Sequence, residues 1–144
     1  MKILVTGGAG FVGTNLIKRL LKEGYEVKSI DNYNTGLESN HQEGCKYKDL
    51  DIIKFNTNFI DPLSSYKPDI IFHLAAIARI QPSFKNPQQY INTNFQGTYE
   101  IVKYCAEKNI PLIYAGSSSK HSGKYKNPYT FSKDLGEDII ELYK

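Results

Sequence analysis

Cysteine is scarce in these 144 residues: Cys45 and Cys105 stand far apart, with no C-x-x-C and no Cys/His spacing. A disulfide framework or a zinc site needs more than that. No metal is expected, and both cysteines read as buried apolar residues of a reducing cytosol. Long hydrophobic runs are also missing. No apolar stretch approaches the ~18 residues of a membrane-spanning helix, and glycines interrupt the apolar N-terminus where a secretory signal would need its hydrophobic segment. The expectation is a soluble, cytoplasmic chain with no membrane partner. Charge of one sign is lacking as well. The 18 basic residues are scattered among 15 acidic ones for a net charge of +3, without a run or stripe, which argues against a nucleic-acid partner. No repeat, low-complexity tract or linker divides the chain. What is there is a globular composition, 40% hydrophobic and 23% charged, read as a single domain over 1–144 that should bury about 68–70% of its unfolded surface.

Periodicity orders this domain. "KILVT" (2–6) is a short apolar run suited to a buried parallel strand. From Phe11 the spacing turns helical, through Val12, Leu16, Ile17, Leu20 and Leu21, with Gly24 as the C-terminal stop. "EVKSID" (26–31) reads as a second strand ending on an acid, "CKYKDLDI" (45–52) as a weaker third, and "DIIFHLAA" (69–76), behind Pro68, as a fourth. A long helix is predicted over 86–109, with Asn86 as its cap, Pro87 at its first position, and a stripe of Tyr90/Ile91, Phe95, Thr98, Ile101/Val102 and Cys105. "PLIYAG" (111–116) makes a fifth strand, and Asn127-Pro128 opens a last helix carrying Leu135, Ile139, Ile140 and Tyr143. Strands separated by helices imply a parallel sheet with right-handed crossovers, a doubly wound α/β domain.

Four of the nine residues in "VTGGAGFVG" (5–13) are glycine, directly after the first strand. Gly7, Gly10 and Gly13 fit a strand–turn–helix in which the first permits a tight turn, the second lets backbone approach a pyrophosphate, and the third lets the helix pack closely. The free N–H groups and dipole at the helix start favour an anion there. Asp31 lies 18 residues beyond Gly13 at the end of the second strand. A carboxylate there takes hydrogen bonds from a ribose 2′-OH and repels a 2′-phosphate, so the pattern points to NAD over NADP. Tyr129 and Lys133 stand at i and i+4 near the start of the last helix, on one face. A tyrosine is a poor base at its ordinary pKa near 10, and a neighbouring ammonium favours the phenolate that general-base work requires. Ser117, Ser118 and Ser119 follow the fifth strand, at the sheet edge where such folds bind ligands. Asn94 interrupts an apolar stripe, and a buried asparagine needs partners, either as a structural bridge or as a brace for the site.

Taken in order, "TGGAGFVG", "DNYNTG", "HLAA", "PSFKNPQQYINTNFQGT", "YAGSSS" and "PYTFSK" resemble the extended short-chain dehydrogenase/reductase family, in its NAD-dependent nucleotide-sugar epimerase/dehydratase group. The resemblance spans nearly the whole chain and implies a Rossmann sheet. It implies that Gly7, Gly10, Phe11 and Val12 lie along the pyrophosphate, that Asp31 and Asn32 hold the adenosine ribose, and that Asp51-Ile52 flank the adenine, with Asp49-Leu50 as another register. Leu74, Ala75 and Ala76 would form the strand edge beneath the cofactor, with Gly13 and Asn94 in the same half-site. Tyr129 would be the catalytic base, and Lys133 would bond the nicotinamide ribose and promote ionisation of that phenol. Ser118, with Ser117 second, would orient the substrate. The implied reaction passes a hydride from a sugar carbon to the nicotinamide while Tyr129 takes the hydroxyl proton, and an epimerase returns the hydride to the opposite face. A dehydratase would carry an Asp-Glu pair where Ser119-Lys120 stand, which disfavours that chemistry.

Two departures from the family pattern qualify these expectations. Ser118 and Tyr129 are only 11 residues apart, and Lys120, His121 and Lys124 occupy the rim of a short loop. A solvated loop is the plainer reading of that rim; a diphosphate contact by the lysines, or a proton shuttle at His121, is the sharper one. Family members also continue past this helix into a C-terminal substrate lobe, so the chain is expected to lack it. The substrate implied is a nucleotide-sugar, UDP- or dTDP-linked, with a homo-oligomer or a complementing second chain as partner. Two other readings stay open: a non-catalytic or partner-dependent NAD-binding module, and an NAD-dependent dehydrogenase acting on a smaller alcohol.

Overall fold

The computed structural model describes residues 1–55 and 65–144. Five parallel strands run in the order β3-β2-β1-β4-β5, formed by β1 (Lys2–Thr6), β2 (Glu26–Asp31), β3 (Lys46–Asp49), β4 (Ile70–His73) and β5 (Leu112–Tyr114). The chain moves outward from β1 to β3, then crosses back to place β4 on the other side of β1. That reversal opens a crevice at the carboxyl ends of β1 and β4, where doubly wound sheets bind their ligands. The doubly wound parallel sheet expected from the sequence is therefore the observed fold.

β1 shows why the sheet is covered on both faces. Successive side chains of a strand point to opposite faces, and Ile3, Leu4 and Val5 are all fully buried. Ile3 and Val5 join Ile17, Leu20 and Val27 under helix α1 (Phe11–Lys22), while Leu4 joins Ile30, Ile71, Ile101 and Tyr104 under helix α4 (Thr98–Lys108). Each fully buried aliphatic side chain contributes about 1.5–3 kcal/mol, so a continuous apolar run is the sequence signature of this two-sided burial. Gly24 closes α1 at φ +82°, its N–H donating to the Leu21 carbonyl.

The second half departs from simple periodicity. In place of one regular helix over 86–109, a short α2 (Ile80–Lys85) precedes α3 (Pro87–Tyr90), and a π-helical stretch, Ile91–Gly97, links α3 to α4. Asn86 makes no side-chain cap bond; its backbone follows the end of α2 directly, which leaves no extended lead-in. The wider turn sends Asn94 into the core and leaves Phe95 only half-buried. Gly97 is required there, because a Cβ would lie 2.6 Å from Ile52 Cδ1. Strands four and five are shorter than their apolar runs, ending at His73 and Tyr114, and beyond β4 Leu74, Ala75 and Ala76 leave the sheet to line the crevice. Helix α5 (Pro128–Leu142) starts as expected: Asn127 Oδ1 accepts from the Thr130 N–H at 2.8 Å. Among the described residues no helix is long and apolar enough to cross a membrane.

Candidate functional site

The glycine turn sits at the mouth of the crevice. Gly7 has φ +75°, and a Cβ on it would lie 2.7 Å from the Ala75 amide nitrogen, so β1 and the β4 loop touch through it. Gly13 packs α1 onto the turn, where a Cβ would meet the Gly7 carbonyl oxygen at 2.3 Å. Gly10 is different. It precedes α1 with only the Gly7 oxygen near its vacant Cβ position, at 3.4 Å, which leaves its outer side open to a ligand. The first-turn N–H groups of a helix lack intrahelical partners, and no acidic residue occupies the first turn of α1 to compete with an anion. Phe11 and Val12 stand beside that turn, 84% and 62% exposed. Gly8, which sequence reasoning left unassigned, is closely packed as well: a Cβ there would fall 2.0 Å from Ser29 Oγ.

Asp31 ties this turn to the end of β2. Its Oδ2 accepts from the Ala9 N–H and its Oδ1 from the Tyr33 N–H, both at 2.9 Å. A carboxylate oxygen has more lone-pair capacity than one bond uses, so the fixed group can still accept from a ligand hydroxyl. The crevice beside it is lined by Gly7, Gly10, Asp31, Asn32, Ile52, Leu74, Ala75 and Ala76 from the sequence assignments. Asn34, Thr35, Ile77 and Thr93 line it as well. Of those four, Asn34 and Thr35 had a faint signal, since they belong to the polar turn "DNYNTG", but nothing local distinguishes them from ordinary turn residues. Asp51 lies just outside, accepting from Asn32 Nδ2 and from the Ile53 N–H, each at 3.0 Å. Both Leu50 and Ile52 face the crevice, so either register of that motif supplies an apolar wall.

Behind the crevice runs a buried polar chain. The Ala75 N–H donates to Thr6 Oγ1 at 3.2 Å, and Thr6 Oγ1 is 2.7 Å from His73 Nδ1. His73 Nε2 is 2.9 Å from Thr98 Oγ1, whose proton goes to the Asn94 carbonyl at 2.7 Å. A hydroxyl has one proton, so Thr98 accepts from Nε2–H and Thr6 donates to Nδ1, which assigns the imidazole tautomer. Burial, with the Lys133 charge second, holds His73 down at about 3, so it is neutral. Asn94 is fully buried; its side chain accepts from the Ile77 N–H at 2.7 Å and donates to the Ile77 carbonyl at 3.0 Å and Ser132 Oγ at 3.1 Å. It braces the loop under the crevice against α5.

The phenol and the ammonium stand on α5 against the loop that follows β5, and neither is among the residues lining that crevice. Tyr129 and Lys133 lie one turn apart on α5, and the Tyr129 hydroxyl donates to Ser117 Oγ at 3.4 Å. Ser117, the second choice on sequence, is the serine at Tyr129, whereas Ser118 is exposed. Ser117 Oγ also lies 2.8 Å from Ser119 Oγ. Lys133 is 4% exposed, with Nζ 4.1 Å from the centre of the Tyr114 ring. Its burial lowers the ammonium pKa to about 8, against the opposing charge of Glu137. Burial likewise pushes the Tyr114 phenol up, so Tyr114 stays neutral. The rim lysines do not face the crevice unpaired: Lys120 pairs with Glu137, and Lys124 Nζ lies 2.7 Å from both Asp134 and Asp138.

A family model described as the NAD dependent epimerase/dehydratase family matches residues 3–143. Among curated proteins, the chain is 33% identical to Protein CapI of Staphylococcus aureus, covering 99% of this chain and 45% of that protein. It is 31% identical to a UDP-N-acetyl-alpha-D-glucosaminuronate decarboxylase of Bacillus cytotoxicus, covering 92% of this chain and 41% of the relative. Among solved structures, the Thermus thermophilus UDP-glucose 4-epimerase in complex with NAD superposes with a TM-score of 0.85 at 25% identity, over 99% of this chain and 50% of that one. The chain thus spans about half the length of the relatives it matches.

Proposed function

The chain belongs to the NAD dependent epimerase/dehydratase family, and from that premise we propose that it binds NAD in the crevice and contributes the cofactor-binding, proton-transferring half of a nucleotide-sugar epimerase. The observation that carries this reading is the Tyr129–Ser117 hydroxyl pair, with Lys133 one turn on, at the same sheet edge as the glycine turn and Asp31. The residues present fit the group: Gly10 leaves open the side a pyrophosphate would take, the first turn of α1 offers N–H donors, and Asp31 presents a fixed carboxylate to a ribose. Bound NAD supplies an acceptor, and then a donor, for hydride.

The rest falls to side chains of this chain. Tyr129 takes the proton of the sugar hydroxyl at its Oη as the C–H bond at that carbon is lost, so the alcohol becomes a ketone. It gives the proton back when hydride returns to the opposite face. Ser117 Oγ, which meets Tyr129 Oη directly, holds the same hydroxyl in line by donating to its oxygen. Lys133 offers an ammonium to the cofactor ribose from a dry site. The sugar is UDP- or dTDP-linked in this reading, and the chain works in the cytoplasm.

Calorimetric titration with NAD tests the first half. Expected is a saturable heat of binding retained by Tyr129→Phe, which keeps the ring; no heat at millimolar NAD overturns the reading. With NAD present and UDP-glucose as probe, proton NMR should show the 4-epimer with wild-type protein and none with Tyr129→Phe.

A further inference from the structure

We propose that Glu137 is the positioning residue of this site, holding the loop after β5 so that the Ser117 hydroxyl stands against the Tyr129 phenol. The proposal rests on the reading of Tyr129 and Ser117 given above and adds a residue to it. Tyr129, Lys133 and Glu137 follow one another at four-residue intervals along α5, so they share one helical face. Glu137 Oε1 accepts the Ser117 N–H at 3.3 Å, and Oε2 pairs with Lys120 on the far side of the serines. One carboxylate therefore grips the loop on both sides of Ser117 and Ser119.

The neighbouring residue shows how close that grip is. A Cβ on Gly116 would lie 3.0 Å from Glu137 Oε1, so glycine at 116 lets the carboxylate reach the backbone. From the Ser117 nitrogen the route to its Oγ is three bonds long, and Oγ is the atom that Tyr129 Oη meets. At 3.4 Å that contact is longer than the roughly 2.5–3.0 Å of an ordinary hydroxyl hydrogen bond, and a small shift of the loop removes it. The serine thus depends on a residue two helical turns beyond the tyrosine it serves.

The test uses protein labelled with carbon-13 at tyrosine Cζ, with the Tyr129 signal assigned by its loss in Tyr129→Phe. Ser117→Ala sets the shift that accompanies loss of the contact. Glu137→Ala is expected to move the Tyr129 signal in the same direction. Glu137→Gln, which keeps an acceptor for the Ser117 N–H, is expected to restore most of the wild-type position. Should Glu137→Ala fail to fold, Gly116→Ala displaces the carboxylate from the other side and should move the signal instead. The proposal is overturned if Glu137→Ala or its substitute leaves the signal at its wild-type position, if Gln shifts it as far as Ala, or if Ser117→Ala has no effect. None of these outcomes depends on NAD binding, so failure of the NAD reading shows separately, as absent heat in the titration.

Discussion

Replacing Lys133 with methionine should make the folded chain more stable at neutral pH. Lys133 is almost wholly buried, and burial brings its ammonium from 10.5 down to about 8 despite the nearby Glu137 carboxylate. At about 1.36 kcal/mol per unit, keeping the proton at pH 7 costs the folded state about 3 kcal/mol. The Tyr114 ring under Nζ gives back about 0.5–2 kcal/mol as a cation–π contact, which methionine forfeits. The net gain expected for Lys133→Met is about 1–3 kcal/mol at pH 7. Its pH dependence is the sharper signature. Between about 8 and 10.5 the unfolded chain holds the lysine proton and the folded chain does not, so wild-type stability rises with pH there. The advantage of the variant should therefore shrink by about 2 kcal/mol between pH 7 and pH 10. Urea unfolding followed by circular dichroism at each pH measures it, as a difference in midpoint that narrows by roughly 0.7–2 M. A gap that stays constant or widens over that range refutes the buried, cationic Lys133.

His73 gives the opposite end of the pH scale: its folded pKa is held at about 3 against an ordinary 6.5, so the unfolded chain takes up a proton that the folded one refuses. Stability should fall by about 1.36 kcal/mol per unit as pH drops through that interval, and His73→Gln should flatten the slope of denaturation midpoint between pH 6 and pH 4. Gly13→Ala places a methyl 2.3 Å from the Gly7 carbonyl; a loss of about 1–3 kcal/mol in unfolding free energy and weakened NAD binding are expected, measured by denaturation and calorimetry. Asp31→Ala removes a carboxylate that would bond the ribose and already holds the Ala9 N–H. At about 1.5–3 kcal/mol for a charge-assisted bond, NAD affinity should drop roughly 10–100-fold by calorimetry.

What the sequence made legible was local. β1, α1 and β2 follow from apolar runs, a helical stripe and a glycine stop, all within a few residues, and Asn127 caps α5 because cap and proline are adjacent in the chain. Gly7, Gly13 and Asp31 were legible because their spacing encodes a strand–turn–helix and the end of the next strand. The choice between Ser117 and Ser118 was not. Which hydroxyl turns toward Tyr129 depends on the helical turn that Ser117 caps, accepting from the Ser119 N–H, and three serines in a row carry no pattern to reveal it. Gly8 and Ser29 meet across the sheet, and His73 finds its partners on β1 and α4. Such pairings exist only once the strand order is fixed.

The loop between β5 and α5 follows from the same reasoning. On sequence, its lysines read either as solvated charges or as diphosphate contacts, because periodicity within so short a link offers no partner for them. The partners lie on α5, where Asp134, Glu137 and Asp138 all fall within two turns of one another. Lys120 and Lys124 bind the loop to the helix that carries Tyr129 and Lys133. Exposed ion pairs contribute about 0–1 kcal/mol each, too little to matter for global stability but enough to bias one loop conformation over others. A short loop strapped to α5 can hold a serine in place. The cost is that these lysines are already engaged: for Lys120 or Lys124 to reach a substrate diphosphate, it must first leave its carboxylate.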